Sequence, residues 1–316
     1  MASYLVTGGA GFIGSHLAEE LLRRGETVRV ADNLSTGKRR NLEYISGVEF
    51  LEGDLSDFAF AERAAAGVDY VLHQAAIPSV PRSVSDPITS NRANIDATLN
   101  VLVAARDAGV KRLVFAGSSS EYGNAPTLPK HEAMVPSPLS PYALQKTMCT
   151  QYCQMFTRLY GFETVVIRYF NVFGPRQDPG SPYSGVISLF STALIEGRQP
   201  LIYGDGEQTR DFTYVANVVD GVLRACTAPG AAGEAINVAC GIRISLNELL
   251  RVMNRVVGTH LQAIHKEERA GDVKDSQADI AKAKTLLGYT PIVGLEEGLR
   301  YTLDWCRAAS AAATGR

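Results

Sequence analysis

The stretch Tyr4-Leu-Val-Thr7-Gly8-Gly-Ala-Gly11-Phe-Ile-Gly14 decides the fold of this chain. Its first four residues have the apolar composition of a short buried strand, and an amphipathic helical pattern follows the turn to about Gly25. The three spaced glycines lack a Cβ where the backbone has to approach a phosphate group or a neighbouring strand closely. A helix that begins here points its amide groups and its positive dipole end at those phosphates. Strand, turn and helix therefore predict the first half of a dinucleotide-binding unit.

The next strand predicts which dinucleotide this unit binds. Residues 27–31 have a strand pattern, and Asp32 follows directly. A carboxylate at that point accepts hydrogen bonds from the ribose hydroxyls of adenosine and repels a 2′-phosphate, so we expect NAD. The basic run from Lys38 to Arg40 could serve NADP, but Asp32 outweighs it. We interpret this run as a solvated loop or as the rim of a diphosphate site.

Strand and helix patterns alternate along most of the chain. With helices between them, further strands are predicted at residues 48–51, 70–76, 112–116, 163–169 and 235–238. This alternation predicts an α/β fold with a Rossmann-type, doubly wound parallel sheet. A segment rich in Pro and Gly at 176–183 marks a boundary. We expect an NAD-binding domain at 1–174, to which 211–245 returns, and a smaller C-terminal α/β substrate-binding domain at 175–210 and 246–316.

Polar residues follow several strands at the carboxyl edge, where ligands bind in open α/β folds. Asp54 stands where a carboxylate could read an adenine amino group, and an ordinary polar turn is the alternative. His73 ends a strand among alanines, so we interpret it as a packed and hydrogen-bonded core residue. The proline-stiffened loop at 77–83 carries Arg82, which is a candidate for substrate contact.

A serine-rich turn, Gly117-Ser118-Ser119-Ser120-Glu121-Tyr122-Gly123, follows the strand at 112–116. A hydroxyl there could donate to a substrate oxygen or relay its proton. Serines in a turn can also act only as caps for the backbone. The position of the turn at the sheet edge favours function, and we select Ser118 as the donor.

The stretch Ser140-Pro-Tyr-Ala-Leu-Gln-Lys146 places Tyr142 and Lys146 four residues apart at the start of a predicted helix. Side chains at this spacing lie on one helical face. An ammonium beside a phenol favours the phenolate, so we expect Lys146 to lower the pKa of Tyr142. A tyrosine tuned in this way can exchange a proton with a substrate hydroxyl near neutral pH. The spacing alone is weak evidence, because it occurs by chance on many amphipathic helices.

Composition excludes several classes of partner. The 31 Lys and Arg residues nearly balance the 33 Asp and Glu residues. This balance gives no broad basic field, so we expect neither nucleic acid nor a membrane surface as a partner. The N-terminus runs directly into the glycine turn, and no apolar run has the length that spans a bilayer. We therefore expect a cytoplasmic protein.

The five cysteines are odd in number and scattered along the chain, which fits reduced thiols better than a disulfide framework. Cys149 and Cys153 share a helix face. Two thiols without further ligands nearby are interpreted as core residues rather than a metal site, and we expect no metal.

The motifs together resemble those of the extended short-chain dehydrogenase/reductases. The resemblance rests on the glycine turn, the serine turn before Tyr122-Gly123, Tyr142 with Lys146, Arg168-Tyr-Phe-Asn171-Val-Phe-Gly-Pro175, and Arg210-Asp-Phe. It covers essentially the whole chain. Within that family the chain is similar to the nucleotide-sugar 4-epimerases that act on UDP-hexoses, and most of all to those that favour UDP-N-acetylglucosamine.

The resemblance implies roles residue by residue. Tyr142 would take the proton from O4 of the sugar while C4 is oxidised, Lys146 would bind the nicotinamide ribose, and Ser118 would hold O4. NAD would stay bound and be regenerated in each cycle. The implied cofactor contacts are Gly8, Gly11, Phe12, Ile13, Gly14, Asp32, Asn33, Asp54, Leu55, Gln74, Ala75, Ala76, Tyr142 and Lys146. The implied substrate contacts are Arg82, Ser118, Ser119, Ser120, Tyr142, Asn171, Arg210, Arg269, Asp272 and Ser276.

Departures from related subfamilies narrow the implied reaction. The similar 4,6-dehydratases carry an Asp-Glu pair in the serine turn, and the similar UDP-glucuronate decarboxylases carry a glutamate there. This chain has Ser119 and Ser120 at those places, with Glu121 one position late. Dehydration and decarboxylation therefore lack their acid–base group, and inversion at C4 remains.

The residue at position 276 bears on which sugar is expected as the substrate. In the similar epimerases restricted to UDP-glucose and UDP-galactose, a tyrosine at this place crowds the C2 substituent, whereas Ser276 leaves room for an N-acetyl group. Similar uronate enzymes often have a Gln-Arg-Pro stretch after the Asn171 strand. Here Gln177 is followed by Asp178, with Arg176 on the other side. We expect UDP-N-acetylglucosamine, and UDP-glucuronate or UDP-glucose stays as the alternative.

Two further expectations concern assembly and class. The helices predicted at 94–108 and 146–160 are candidate faces for a homodimer, the usual arrangement in the family, although apolar stripes on core helices look the same. A non-catalytic NAD-binding regulator on the same fold would be expected to lack Tyr142, Lys146 or the serine. All three are present.

Overall fold

The centre of the protein is a parallel β-sheet, seen in a computed structural model that describes residues 1–178, 185–268 and 273–314. Numbered along the chain, the strands that form it within these residues are β1 (Ser3–Thr7), β2 (Thr27–Asp32), β3 (Val48–Glu52), β4 (Tyr70–His73), β5 (Arg112–Ser118), β6 (Glu163–Tyr169) and β11 (Ala235–Val238). Their order is β11-β6-β5-β4-β1-β2-β3, and every pair is parallel. The predicted α/β fold with a Rossmann-type sheet is confirmed.

Helices cover both faces of this sheet. In the described part of the chain they are α1 (Phe12–Arg23), α2 (Phe58–Ala65), α3 (Val80–Ser85), α4 (Pro87–Asn91), α5 (Ala97–Asp107), α6 (Pro141–Tyr160), α7 (Val186–Ile195), α8 (Val215–Thr227), α9 (Leu246–Val257), α10 (Ala281–Leu287) and α11 (Leu295–Thr314). Residues 39–41 and 119–122 form 3₁₀ turns, and a π-helical turn at 92–96 leads into α5.

The two faces of the sheet bury different sets of side chains. Leu113 and Phe115 of β5 pack with residues of α2, α5 and α6, including Cys149 and Cys153. Val114 packs on the opposite face with α1 and α8. This alternation follows from the two-residue period of a strand. Both thiols are core residues, as the sequence predicted.

Short strands lie outside the central sheet, after the residues that build most of it. They are β7 (Val172–Phe173), β8 (Leu201–Tyr203), β9 (Thr209–Arg210), β10 (Thr213–Tyr214), β12 (Ile244–Ser245) and β13 (Ile264–Lys266). β7 pairs with β10, β9 with β12 and β8 with β13. The strand β11 returns from the later part of the chain to the edge of the main sheet beside β6. The proposed domain boundaries stay a prediction.

Local structure differs from the sequence prediction at three places. The segment 77–83, expected to be a loop, enters helix α3, because Ser79 Oγ accepts a hydrogen bond from the N–H of Arg82 at 3.1 Å and Pro81 suits a first helical turn. The strand expected to reach residue 76 ends at His73. The helix expected to begin at residue 94 is entered through the π-helical turn.

Candidate active site

A cleft of about 1020 Å³ opens at the carboxyl ends of the central strands. This is where an open α/β sheet binds its ligand, since β1 lies between β2 and β4 and the chain turns away in opposite directions there. Every predicted site residue that the structure describes lines this cleft. Arg269 and Asp272 lie outside the described residues. The individual roles of these residues stay predictions.

The glycine turn forms one wall of the cleft. Gly8 has a φ of +64°, and a Cβ there would lie 2.7 Å from the backbone nitrogen of Ala75. A Cβ at Gly14 would overlap the carbonyl oxygen of Gly8. Helix α1 then begins without a side-chain cap among the described residues, so its first amide groups face the cleft. This cradle fits a diphosphate, and the contact of the glycine turn with the cofactor stays a prediction.

Asp32 ends β2 at the cleft and is 7% exposed. Its two carboxylate oxygens accept hydrogen bonds from the backbone N–H groups of Ala10, at 2.9 Å, and Leu34, at 2.8 Å. These bonds fix the carboxylate and leave acceptor capacity on each oxygen for ribose hydroxyls.

Two residues of the basic run after Asp32 lie in different surroundings. Lys38 lines the cleft and pairs with Asp178. Arg39 pairs with Glu52 at 2.7 Å on the protein surface.

A glutamine and a tyrosine meet across strand β5. The hydroxyl of Tyr169 donates to Gln74 Oε1 at 2.8 Å, and Ala116 lies on the strand between them. Gln74 Nε2 is buried and has no protein partner within the described part of the chain. A buried amide donor that borders the cofactor cleft fits a ligand that offers an acceptor there. Sequence reasoning missed Tyr169, whose place in the Arg168-to-Asn171 motif was its signal.

Ser118 and Tyr142 form the polar centre of the cleft. Ser118 Oγ accepts hydrogen bonds from Ser120, from its N–H at 3.2 Å and from its hydroxyl at 2.8 Å. These bonds occupy both acceptor sites of the hydroxyl, so Ser118 acts as a donor toward Tyr142 or toward a ligand oxygen. Burial raises the pKa of Tyr142 to about 12, and a hydrogen bond with Ser118 opposes that rise.

Lys146 does not have the expected effect on Tyr142. Its Nζ donates to the carbonyl oxygen of Ala116 at 2.7 Å and lies 4.7 Å from the ring centre of Phe115. The distance from Nζ to the ring centre of Tyr142 is 6.0 Å. The prediction of a lowered phenol pKa is therefore wrong for this structure, because loss of water around the phenolate outweighs the ammonium. Burial also lowers the pKa of Lys146.

The opposite wall of the cleft comes from later segments. Asn171 has a φ of +26°, a strained value for a residue with a side chain. Arg210 Nη1 donates to the backbone oxygens of Thr209, at 2.8 Å, and Lys274, at 3.1 Å. Ser276 is 9% exposed and donates its N–H to Thr209 at 3.1 Å.

Lys130 lies on this wall and was missed by sequence reasoning. It is a single lysine after a proline, in a segment without helical or strand periodicity, so no sequence signal marked it. Its backbone N–H donates to Gln277 at 2.7 Å, which brings it beside Ser276. Burial lowers the pKa of its ammonium group.

Glu121 points away from the cleft. Its carboxylate is fully buried and pairs with Arg168 of β6 at 3.0 Å. Ser119 and Ser120, which precede it in the turn, line the cleft instead.

Comparison with known proteins identifies the family. The model of the NAD-dependent epimerase/dehydratase family matches residues 4–239. The chain belongs to this family. The resemblance to the extended short-chain dehydrogenase/reductases is thereby confirmed, and NAD is the cofactor that the family uses.

Relatives of this chain are named for different sugar substrates. A UDP-glucose 4-epimerase of Mycolicibacterium smegmatis is 39% identical over 97% of this chain and 99% of its own. A UDP-glucuronate 4-epimerase of Thermodesulfobacterium geofontis is 35% identical over 97% of both chains.

A similar solved structure belongs to a relative that is named for a third sugar. The UDP-N-acetylglucosamine 4-epimerase of Methanobrevibacter ruminantium, in complex with UDP-N-acetylmuramic acid, is 39% identical and has a TM-score of 0.93 over 98% of this chain and 99% of its own. These relatives are isomerases, which agrees with the enzyme class expected from the sequence. None of the helices formed by the described residues combines the length and apolar character needed to cross a membrane.

Proposed function

We propose that this family member inverts C4 of a UDP-sugar, converting UDP-N-acetylglucosamine into UDP-N-acetylgalactosamine. The observation that carries the proposal is the meeting of Ser118 and Tyr142 in a cleft that also holds the glycine cradle. The NAD of this family supplies a reversible oxidation at C4. The side chains of the protein then have to manage the proton on O4.

Tyr142 and Ser118 divide the proton chemistry at O4. The raised pKa keeps most of the phenol protonated at neutral pH and makes its phenolate a strong base, so the phenolate is the form that can accept the O4 proton. Ser118 holds the same oxygen with the proton that its two accepted bonds leave available. The phenolate, present once the phenol has released its proton to solvent, accepts the O4 proton, while the hydride of C4 would pass to NAD. The phenol returns the proton after the 4-keto sugar has turned its other face, which completes the inversion.

The burial of Glu121 supports inversion over elimination. Elimination of water or loss of a carboxyl group needs an acid or base beside C5 or C6 of the sugar. Ser119 and Ser120 supply hydroxyls at the cleft, and the nearby carboxylate is bound to Arg168 behind them. No step after oxidation other than reduction of the ketone then has a catalyst in this turn.

The choice of sugar rests on the wall that Ser276 forms. A serine leaves the volume that a tyrosine would fill, which suits an N-acetyl group at C2. The residue after Gln177 also supports the choice, because it is Asp178 and not the arginine that similar uronate enzymes often have there. Relatives named for UDP-glucose and UDP-glucuronate support the alternative substrates.

Product analysis with three sugars tests the proposal. Purified protein is incubated separately with UDP-N-acetylglucosamine, UDP-glucose and UDP-glucuronate, and the products are identified by NMR. We expect the highest kcat/KM for UDP-N-acetylglucosamine. Absence of UDP-N-acetylgalactosamine at equilibrium contradicts the proposed substrate, and absence of any C4 epimer contradicts the proposed reaction.

The first variant to compare is Tyr142→Phe. It removes the proton acceptor and keeps the ring, so we expect kcat to fall by at least about a hundredfold while bound NAD is retained. The matched control is Tyr152→Phe, which lies on the same helix away from the cleft and should keep full activity. Normal turnover of the Tyr142 variant contradicts the proton-transfer role.

We further propose that two copies of the chain pair through helix α6, as a homodimer. The side chains of Leu144, Met148, Met155 and Leu159 are exposed along this helix. Contiguous exposed apolar surface of this kind marks protein interfaces. Sedimentation of the purified protein measures the state of assembly. The cytoplasmic location stays a prediction.

A further inference from the structure

Glu121 is a fully buried carboxylate that joins two parts of the active site. Its Oε1 accepts a hydrogen bond from the backbone N–H of Ser118 at 3.2 Å. The same oxygen accepts a hydrogen bond from the hydroxyl of Thr150, also at 3.2 Å. Thr150 lies eight residues after Tyr142 on helix α6. The carboxylate therefore fastens the serine turn to the helix that carries the phenol.

Arg168 fastens the same carboxylate to the central sheet. Its Nη2 contacts Glu121 Oε2 at 3.0 Å, and its Nη1 donates to the hydroxyl of Tyr122 at 3.0 Å. That hydroxyl donates in turn to Asn237 of β11 at 2.7 Å. Arg168 is 4% exposed, so both ions are removed from water and neither is tolerated well without the other.

We propose that Glu121 is a positioning residue, which holds the hydroxyl of Ser118 at the distance from the Tyr142 phenol that proton transfer at O4 requires. The inference rests on the proposed epimerase function and assigns no contact with substrate or cofactor to Glu121. It explains why a charged residue stands in the turn one place after the cleft-lining serines. The carboxylate supports the serine turn, which forms this wall of the cleft, from the side that faces away from the cleft.

We expect loss of the Glu121 carboxylate to affect kcat more than KM. The carboxylate accepts from Ser118 and Thr150 on one oxygen and from Arg168 on the other, whereas an amide has only one oxygen. Replacement by an amide therefore leaves the donors on one side without an acceptor, so the turn is free to shift relative to α6. The sugar and the nucleotide are bound by other residues, so KM changes little. The Glu121 charge also disfavours the phenolate of Tyr142. Removing that charge therefore lowers the pKa of the phenol.

The other ionisable groups near the phenol stay in place in this comparison. Lys146 and Cys149 lie on the same helix as Tyr142, and His73 of β4 faces Lys146. None of them is substituted when Glu121 is replaced, and loss of the Glu121 charge also lowers the pKa values of Lys146 and Cys149. A change in the titration of Tyr142 therefore reports on Glu121 and on the ion pair with Arg168.

The test compares E121Q with the double variant E121Q/R168M. E121Q should lower kcat by about tenfold or more, with KM and NAD content close to those of the parent enzyme. It should also destabilise the fold, because Arg168 loses its partner. The double variant removes the unpaired cation, so thermal stability should recover while kcat stays low. The matched control is E132Q, whose carboxylate accepts from Asn237 in the same network without touching the serine turn.

Two outcomes of these measurements would overturn the inference that Glu121 is a positioning residue. One is an E121Q enzyme with parental kcat at a temperature where it is folded. Another is a double variant in which kcat recovers together with stability, since that result would make the ion pair purely structural. If E121Q does not fold, T150V takes its place, because it removes one donor to the carboxylate without changing charge. It should lower kcat by about fivefold, the equivalent of one hydrogen bond, and an unchanged kcat overturns the inference.

A spectroscopic titration separates this inference from the proposed function. Tyrosinate absorbance is followed against pH in the enzyme, with the Tyr142→Phe curve subtracted to isolate one phenol. E121Q should titrate Tyr142 at lower pH than the parent, and coincident curves overturn the inference. This measurement stays informative even if the wild-type enzyme epimerises none of the UDP-sugars, a result that would reject the proposed function alone.

Discussion

The two halves of the cleft are built in different ways. The cofactor half uses backbone geometry within short stretches of chain, such as the glycine turn packed on Ala75 and the carboxylate of Asp32 held by neighbouring amides. The sugar half, which is the part of the cleft that we propose for the sugar, collects single side chains from distant segments, including Arg82, Lys130 and Ser276. A change in the first half has to disturb the backbone, whereas a change in the second half alters one contact. The cofactor is therefore fixed by the fold, and the sugar preference is adjustable.

The largest effect is expected from Gly14→Ala. The added Cβ overlaps the carbonyl oxygen of Gly8, so the turn has to move. We expect NAD affinity to fall by about a hundredfold or more, which equals about 2.7 kcal/mol. The measurement is the NAD content of the purified protein and a binding titration.

The control for that experiment is Gly294→Ala, because a Cβ at Gly294 meets open space. This variant should bind NAD like the parent protein. Tight NAD binding by the Gly14 variant would show that the turn is more adaptable than its packing suggests, and the contrast between the two halves would weaken.

A smaller effect is expected in the sugar half from Ser276→Tyr. The larger ring fills the space assigned to the N-acetyl group, so kcat/KM for UDP-N-acetylglucosamine should fall about tenfold or more relative to UDP-glucose. NAD content should not change, because position 276 lies on the opposite wall. Ser276→Ala is the matched control and should keep the parental preference. An unchanged preference in the tyrosine variant would place the sugar selection elsewhere.

The smallest effect concerns the acid sensitivity of the cofactor half. His73 is buried between the hydroxyls of Thr7, at 2.7 Å, and Thr98, at 3.0 Å, and burial lowers its pKa to about 3. The unfolded chain binds a proton at this histidine below about pH 6.5, but the folded chain does not until about pH 3. Acidification between these values therefore favours unfolding.

We expect His73 to contribute about 1.4 kcal/mol of lost stability for each pH unit in that window. His73→Gln should reduce the slope by that amount when unfolding is measured in denaturant at about pH 6 and about pH 5. His260→Gln, at an exposed histidine, is the control and should keep the slope. An equal slope in the His73 variant would mean that other groups carry the acid response.

Local patterns in the sequence were sufficient to predict the sheet and to select residues that line the cofactor half of the cleft. The glycine spacing, Asp32 at a strand end and the alternation of strands with helices each depend on neighbouring residues. His73 was also predicted correctly as a packed, hydrogen-bonded residue, because its neighbours are small and apolar.

Features that depend on distant contacts were missed. The effect of Lys146 on Tyr142 was wrong because the ammonium is held by Ala116, a residue thirty positions away along the chain. Lys130 joins the cleft through Gln277, and Glu121 acquires its role through Arg168 and Thr150. No spacing within a short window of sequence encodes such pairs.

The contact between Tyr169 and Gln74 also limits which substitutions this sequence can accept during evolution. The hydroxyl of the tyrosine, which ends β6, reaches the glutamine, which follows β4, over the intervening strand β5. Loss of either partner would leave the other polar group buried alone. Substitutions at 74 and 169 are therefore expected to occur together, so that an alignment of related chains should record the two positions as a covarying pair.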